Sequence, residues 1–316
     1  MRYLVTGGAG FIGSHTVEEL VRRGRDVVVL DDVSTGKAAN LAEAKTKIKF
    51  IQASITDLDA VREACRDVDC VIHLAAQTSV PRSVKDPIET NAINVDGTLN
   101  VLEASREAHV KRVVFACSCA VYGKTTILPI REGTALAPMS PYGLSKQVGE
   151  AYGRQFQDLY GLEFVSLRYF NVYGPRQDPG SPYSGVLSLF NAALLGGTQP
   201  TVYGDGEQSR DFVYVEDVVQ ANVRAAEAKA APGLSINVGT GSRYTLNQTL
   251  ALLEKITGRP VRANYAAPRE GDIRDSQADI SRARETLEYL PRIQFEEGLK
   301  RTWEWFSAAS NEPKRR

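Results

Sequence analysis

The chain has 316 residues, 43% of them apolar and 24% charged, the composition of a globular protein long enough for a large core. Its 38 basic and 38 acidic residues cancel, so no net field draws it to nucleic acid or to an anionic membrane. No apolar run approaches the roughly 20 residues that span a bilayer, and the N-terminus carries no secretion signal, which leads us to expect a cytoplasmic protein working on small molecules. The four cysteines (Cys65, Cys70, Cys117, Cys119) lack CxxC spacing and there are three histidines (His15, His73, His109), so free thiols and no metal site are expected.

In chain order, short apolar runs at Tyr3–Thr6, Asp26–Leu30, Lys49–Ile51, Cys70–Leu74, Arg112–Cys117 and Glu163–Tyr169 read as strands. Between them Ile12–Arg23, Asp57–Cys65, Pro87–Ala108 and Pro141–Tyr160 carry apolar residues at helical spacing. This alternation predicts an α/β fold, a doubly wound parallel sheet. Past Asn171 the rhythm breaks into the Gly- and Pro-rich Tyr173–Ser184, then a helix at Gly185–Leu195 and a loop around Gly204–Ser209. The run Asp211–Val215 and helix Val218–Ala228 lead to Leu234–Val238, which reads as one more buried strand returning to the sheet, and helices Leu246–Ile256, Ile280–Tyr289 and Phe295–Ala308 suggest a smaller lobe. We therefore expect a dinucleotide-binding domain over 1–171 and 211–243, interleaved with a smaller α/β substrate-binding domain over 172–210 and 244–310, and a polar tail at 311–316.

Gly7, Gly10 and Gly13 follow the first strand at the mouth of the first helix, where a turn without side chains lets the backbone approach a pyrophosphate. A tight strand-to-helix turn needs glycine too, so the triplet alone is weak. Asp31 strengthens it: 18 residues past Gly13, at the end of the second strand, its carboxylate can bond the adenosine ribose and repel a 2′-phosphate, favouring NAD over NADP. Tyr142 and Lys146 lie four apart on one helix face, a common surface pairing. In such a pair the ammonium and a cationic nicotinamide ring would lower the phenol's pKa, and Ser118 lies at the carboxyl end of the fifth strand, where doubly wound sheets put their ligands.

The GxxGxxG spacing within Thr-Gly-Gly-Ala-Gly-Phe-Ile-Gly resembles the extended short-chain dehydrogenase/reductases, a Rossmann-fold class, and Asp31-Asp32-Val33-Ser34-Thr35-Gly36 resembles the adenosine-side loop of its UDP-sugar 4-epimerases. The resemblance runs from Met1 to about Phe306. It implies bound NAD lined by Gly7, Gly10, Phe11, Ile12, Gly13, Asp31, Asp32, Ser34, Thr35, Gly36, Leu74, Ala75, Ala76, Asn94, Tyr142, Lys146, Tyr169 and Val172. Ser54-Ile55 stands where the family often has an acid before an apolar residue to hold the adenine, which weakens that contact. The Tyr-Lys-Ser constellation makes Tyr142 general base and acid, Ser118 its proton relay, and Lys146 the group that holds the nicotinamide ribose.

On the substrate side the resemblance places Asn171 on the diphosphate, Tyr203 beneath the uracil, Arg210 and Arg269 on the phosphates and Asp272 on the uridine ribose. Ser79, in Ser79-Val80-Pro81-Arg82-Ser83, and Ser276 match the branch that accepts an N-acetyl group, the small Ser276 leaving room beside the sugar's 2-substituent. Dehydratases and decarboxylases of the class carry an acid just after the Ser/Thr, where this chain has Cys119-Ala120. The expected activity is therefore a UDP-sugar 4-epimerase that passes through a transient 4-keto sugar and bound NADH, serving the UDP-glucose/UDP-galactose pair and its N-acetylated counterpart. A dehydratase or decarboxylase is the runner-up and a non-catalytic NAD-binding sensor the remote one. By analogy, Pro87–Ala108 and Pro141–Tyr160 would form a four-helix homodimer interface.

Overall fold

The computed structural model describes residues 1–178, 185–268 and 273–311. Its strands are β1 (Arg2–Thr6), β2 (Asp26–Leu30), β3 (Ile48–Ile51), β4 (Cys70–His73), β5 (Arg112–Ser118), β6 (Glu163–Tyr169), the short β7 (Asn171–Tyr173), β8 (Thr201–Tyr203), β9 (Ser209–Arg210) and β10 (Phe212–Tyr214), then β11 (Ser235–Val238), β12 (Tyr244–Thr245) and β13 (Asn264–Ala266). Seven of them pair in parallel in the order β11-β6-β5-β4-β1-β2-β3. The order reverses between β1 and β4, so the crevice that doubly wound sheets offer a ligand opens beyond Thr6 and His73.

Helices α1 (Phe11–Arg22), α2 (Leu58–Ala64), α3 (Val80–Lys85), α4 (Pro87–Asn91), α5 (Gly97–Glu107), α6 (Pro141–Tyr160), α7 (Val186–Leu195), α8 (Val215–Glu227), α9 (Leu246–Thr257), α10 (Ser281–Leu287) and α11 (Phe295–Asn311) follow in turn. Alternate strand residues face opposite layers. Val5, Val29 and Ile72 pack with Val17 of α1 and Val218 of α8, whereas Leu4, Val28 and Val71 pack with Val61 of α2 and Val101 of α5. Burying each such side chain contributes roughly 1.5–3 kcal/mol. A third cluster unites Phe190, Phe212, Leu250 and Phe295 in the smaller lobe, with the Phe212 and Phe295 rings stacked at 5.0 Å.

Two predicted segments differ in the fold. The predicted helix Pro87–Ala108 is divided by a π-turn at Ala92–Asp96, because the Asn94 side chain is tied sideways to other elements. The run at Asp211–Val215 holds the three-residue β10, which pairs with β7 outside the main sheet, and α8 begins directly after it at Val215 rather than at Val218. No helix among the described residues is long and apolar enough to cross a membrane, and all four cysteines are free.

Candidate active site

The chain leaves β1 through Gly7 at φ +68°, where a Cβ would lie 2.7 Å from the Ala75 amide nitrogen. A Cβ at Gly13 would sit 2.0 Å from the Gly7 carbonyl oxygen, so the turn can close against α1 only with glycine there. Gly10 caps α1 without any side-chain bond, which leaves first-turn N–H groups at the positive helix end facing the crevice. The expected adenosine-side loop is laced onto this turn. Lys37 N and Asn40 Nδ2 donate to the Ala9 carbonyl (3.0 and 2.9 Å), and a Cβ on Gly36 would lie 2.8 Å from Ala9. Asp31 is buried, and its carboxylate accepts from the Ala9 and Val33 amides, both at 2.8 Å. Burial pushes its carboxyl upward while these N–H bonds pull it down. Asp32 accepts from Ser34 N and Oγ.

Other residues expected around a dinucleotide are placed more indirectly. Ser54 Oγ accepts from Thr56 N and Oγ1, and the Ile55 side chain is core, against which a Cβ on Gly97 would collide. Leu74 and Ala75 donate their amides to Thr6 Oγ1. Asn94 is buried with its amide committed: Oδ1 accepts from Gln77 N (2.8 Å), and Nδ2 donates to Gln77 O (2.9 Å) and Ser145 Oγ (3.0 Å). Tyr169 is also buried and donates its hydroxyl to Asn222 Oδ1.

At the end of β5, Ser118 stands in register with Tyr169 and caps a 3-10 turn at Cys119–Tyr122, its Oγ accepting from Ala120 N (3.2 Å). Helix α6 is started by Ser140, whose Oγ accepts from Gly143 N, with Pro141 at its first position. Gly149 and Gly153 let the helix lie close on β5 and β6: Cβ atoms there would come within 2.7 Å of the Phe115 ring and 2.1 Å of the Phe164 ring. This seating brings Tyr142 into a hydrogen bond with Ser118 and puts Lys146 Nζ 5.0 Å from the Phe115 ring centroid. Ser118 and Tyr142 thus meet, and Lys146 follows one turn along the same helix against Phe115.

Their electrostatics differ from the expectation. Burial pushes the Tyr142 phenol well above its usual range; the Ser118 bond opposes this, and Cys117 and Cys119 add to it. Lys146 is 4% exposed, and burial brings its ammonium from 10.5 down to about 8, slightly opposed by Cys117. The positive charge one helical turn from Tyr142 is therefore lost as pH rises through about 8, and kcat/KM should fall above that point. Lys146→Met should lower the rate throughout and abolish that limb of the pH profile. Stability runs the other way. The unfolded chain binds the proton up to about 10.5, so the cost of the buried charge is fully present below about 8 and relieved between 8 and 10.5.

On the far side of the crevice, Arg210 Nη1 donates to the carbonyls of Ser209 and Arg274 (2.9 and 3.2 Å), and its charge acts on the Cys119 thiol beside Ser118. Asn171 Nδ2 donates to the Asp211 carbonyl (3.3 Å), Gln208 Nε2 donates to the Tyr203 carbonyl, and Val172 lies in β7. Ser276 is 5% exposed and bonds Ser209 through its amide (3.1 Å). Ser79 caps α3 by accepting from Arg82 N. Arg269 and Asp272 lie outside the described residues.

Sequence reasoning missed Asp211, a fully buried carboxylate. It accepts from Thr240 N, Thr240 Oγ1, Gly241 N and Ala278 N at 2.7–3.0 Å, joining the Arg210 strand to the Ser276 segment. Its only sequence signal is its place directly after Arg210.

A profile for the NAD dependent epimerase/dehydratase family matches residues 3–239. The chain belongs to that family. The putative UDP-glucose 4-epimerase of Methanocaldococcus jannaschii is 43% identical over 96% of this chain and 97% of its own length. Among solved structures, the UDP-glucose 4-epimerase of Thermotoga maritima with UDP-glucose superimposes with a TM-score of 0.94 at 41% identity, covering 98% of this chain and 100% of that one. The UDP-N-acetylglucosamine 4-epimerase of Methanobrevibacter ruminantium, in complex with UDP-N-acetylmuramic acid, gives 0.93 at 39%, covering 98% of both. The cofactor expected from the glycine turn and Asp31 is the one for which the family is named. The cradle fits it, since the space that Cβ atoms at Gly7 and Gly13 would fill and the uncapped start of α1 suit a pyrophosphate.

Proposed function

We propose that this chain is a UDP-sugar 4-epimerase, and the observation that carries the reading is Tyr142 bonded to Ser118, with Lys146 one helical turn on, at a strand end followed by Cys119 and Ala120. NAD, when bound, supplies the hydride acceptor at C4 and the donor that gives it back, to the opposite face once the sugar has turned. Tyr142 takes the proton of the 4-hydroxyl and later returns it, and Ser118 orients that proton through its bond to the phenol. Lys146, one helical turn along α6, supplies positive charge that favours the phenolate. Arg210, with Arg269, grips the phosphates as guanidinium forks while Asn171 and Tyr203 seat the nucleotide. A 4-keto sugar needs a carboxyl at its side to be driven into elimination. Cys119 offers a thiol that burial and Asp211 raise to about 12 despite Arg210, and Ala120 offers nothing, which disfavours a dehydratase or decarboxylase.

The test is to incubate the purified protein with UDP-glucose, UDP-N-acetylglucosamine and UDP-xylose and resolve the products by NMR. The 4-epimers are expected; a 4,6-dehydrated product would overturn the reading, and no conversion of any donor would favour an NAD-binding sensor.

For the sugar itself, the small buried Ser276 supports acceptance of the N-acetylated pair alongside UDP-glucose and UDP-galactose. Ser276→Tyr is expected to lower kcat/KM for UDP-N-acetylglucosamine by at least about tenfold while sparing UDP-glucose. Equal effects on both donors would remove Ser276 from specificity. The homodimer reading is supported by apolar side chains bared on α4 and α6, including Ile88 (82% exposed), Leu144 (53%) and Leu159 (69%).

A further inference from the structure

We propose that His73, which makes no part of the chemistry above, is a positioning residue that locks the glycine turn of the cofactor cradle to the π-turn and the catalytic helix through one directed line of hydrogen bonds. The inference rests on the family's use of NAD and on the site as placed above.

Each proton in the line has a single place. Thr98 Oγ1 donates its only proton to the Asn94 carbonyl (2.6 Å), so toward the imidazole it can only accept, and His73 Nε2, 3.1 Å away, must carry the hydrogen. Nδ1 of the neutral ring is then an acceptor and takes the Thr6 hydroxyl proton at 2.7 Å. With its proton committed, Thr6 Oγ1 turns both lone pairs to the Leu74 and Ala75 amides, each at 3.2 Å. These are the residues against which Gly7 packs, leaving no room for a Cβ.

At the other end, Asn94 passes the connection on. Its side chain holds Gln77 by both backbone atoms and donates to Ser145 Oγ, which donates to the Tyr142 carbonyl at 2.8 Å. The π-turn supplies the offset that lets Asn94 reach sideways while Thr98 occupies its carbonyl. The ring is 1% exposed, and burial, aided by the Lys146 charge, holds its pKa near 3, so the neutral tautomer the line requires persists through the working pH range. A second ring proton would leave Thr6 nowhere to donate. An apolar ring would fill the same space against Phe115, whose centroid is 5.7 Å away, without joining the two ends.

A double-mutant cycle on the purified enzyme tests this, with Thr6→Val, Thr98→Val and both together. The readouts are the NAD dissociation constant, kcat, and KM for UDP-glucose. Each single change is expected to weaken NAD about tenfold while moving the UDP-glucose KM less than twofold. The double variant should match either single one rather than show the product of about a hundredfold, because opening either end already frees the ring. His73→Phe should fall at the same level, and if it fails to fold the threonine cycle decides alone. Multiplying effects, or loss of thermal stability with NAD affinity unchanged, would overturn the proposal. A wild-type protein that does not bind NAD would overturn the cofactor reading and this one with it.

Discussion

Tyr142→Phe is expected to lower kcat for UDP-glucose epimerisation by about 10²–10⁴-fold, the range for loss of a general acid–base group, with NAD and UDP affinities within about twofold of wild type. The substitution removes one oxygen and keeps the ring. That oxygen bonds Ser118, and burial makes the phenol a poor source of phenolate unless positive charge and the Ser118 bond favour it. The loss should therefore fall on the proton step and leave the phosphate contacts and glycine turn untouched. Steady-state kinetics with UDP-glucose, beside an NAD titration of the same preparation, separate the two. A rate within tenfold of wild type would assign the proton to another group, and parallel loss of NAD binding would make Tyr142 a structural residue.

Glu150→Ala is expected to cost about 3–5 kcal/mol of stability, read as a shift of the urea unfolding midpoint, because it strands a buried cation. Arg168 is 3% exposed on β6, and its guanidinium donates to both Glu150 oxygens (3.0 and 2.5 Å), to the Tyr122 hydroxyl (2.9 Å) and to the Glu132 carbonyl (3.0 Å). Glu150 also accepts from Ser166 Oγ at 2.7 Å. Removing the carboxylate leaves the charge with neutral partners alone, whereas the apolar pair Glu150→Leu with Arg168→Met should restore most of the loss. The pair joins α6, which carries Tyr142, to the strand that ends at Tyr169, so the single variant should also lose activity. A cost below about 1 kcal/mol would mean that water reaches the guanidinium.

The sheet was legible because its signal is local. Runs such as Asp26–Leu30 and Glu163–Tyr169 are bounded by turn residues and buried in a parallel sheet, and their limits in the fold agree with the apolar runs themselves. Serine, tyrosine and lysine were legible because strand end and helix face are fixed by the same periodicities. What stayed hidden depends on distant partners. Asn94 lies within an unbroken helical pattern, and only its bonds to Gln77, 17 residues earlier, open the π-turn. Helix α3 is six residues around Pro81, too short for a period, and declared only by its Ser79 cap. Asp211 is only the first residue of a short run until Thr240, Gly241 and Ala278 converge on it. His73, weighed in the sequence only as a metal ligand, acquires meaning from Thr6 and Thr98, on either side of it in space.

The central claim, oxidation and re-reduction at C4 within one closed site, is tested most directly with UDP-glucose deuterated at C4. Retention of the full label at C4 of the UDP-galactose formed, in buffer containing ordinary water and without added NAD beyond the bound equivalent, is the predicted result. Loss of the label to solvent, its appearance at C6, or accumulation of a keto sugar would contradict it.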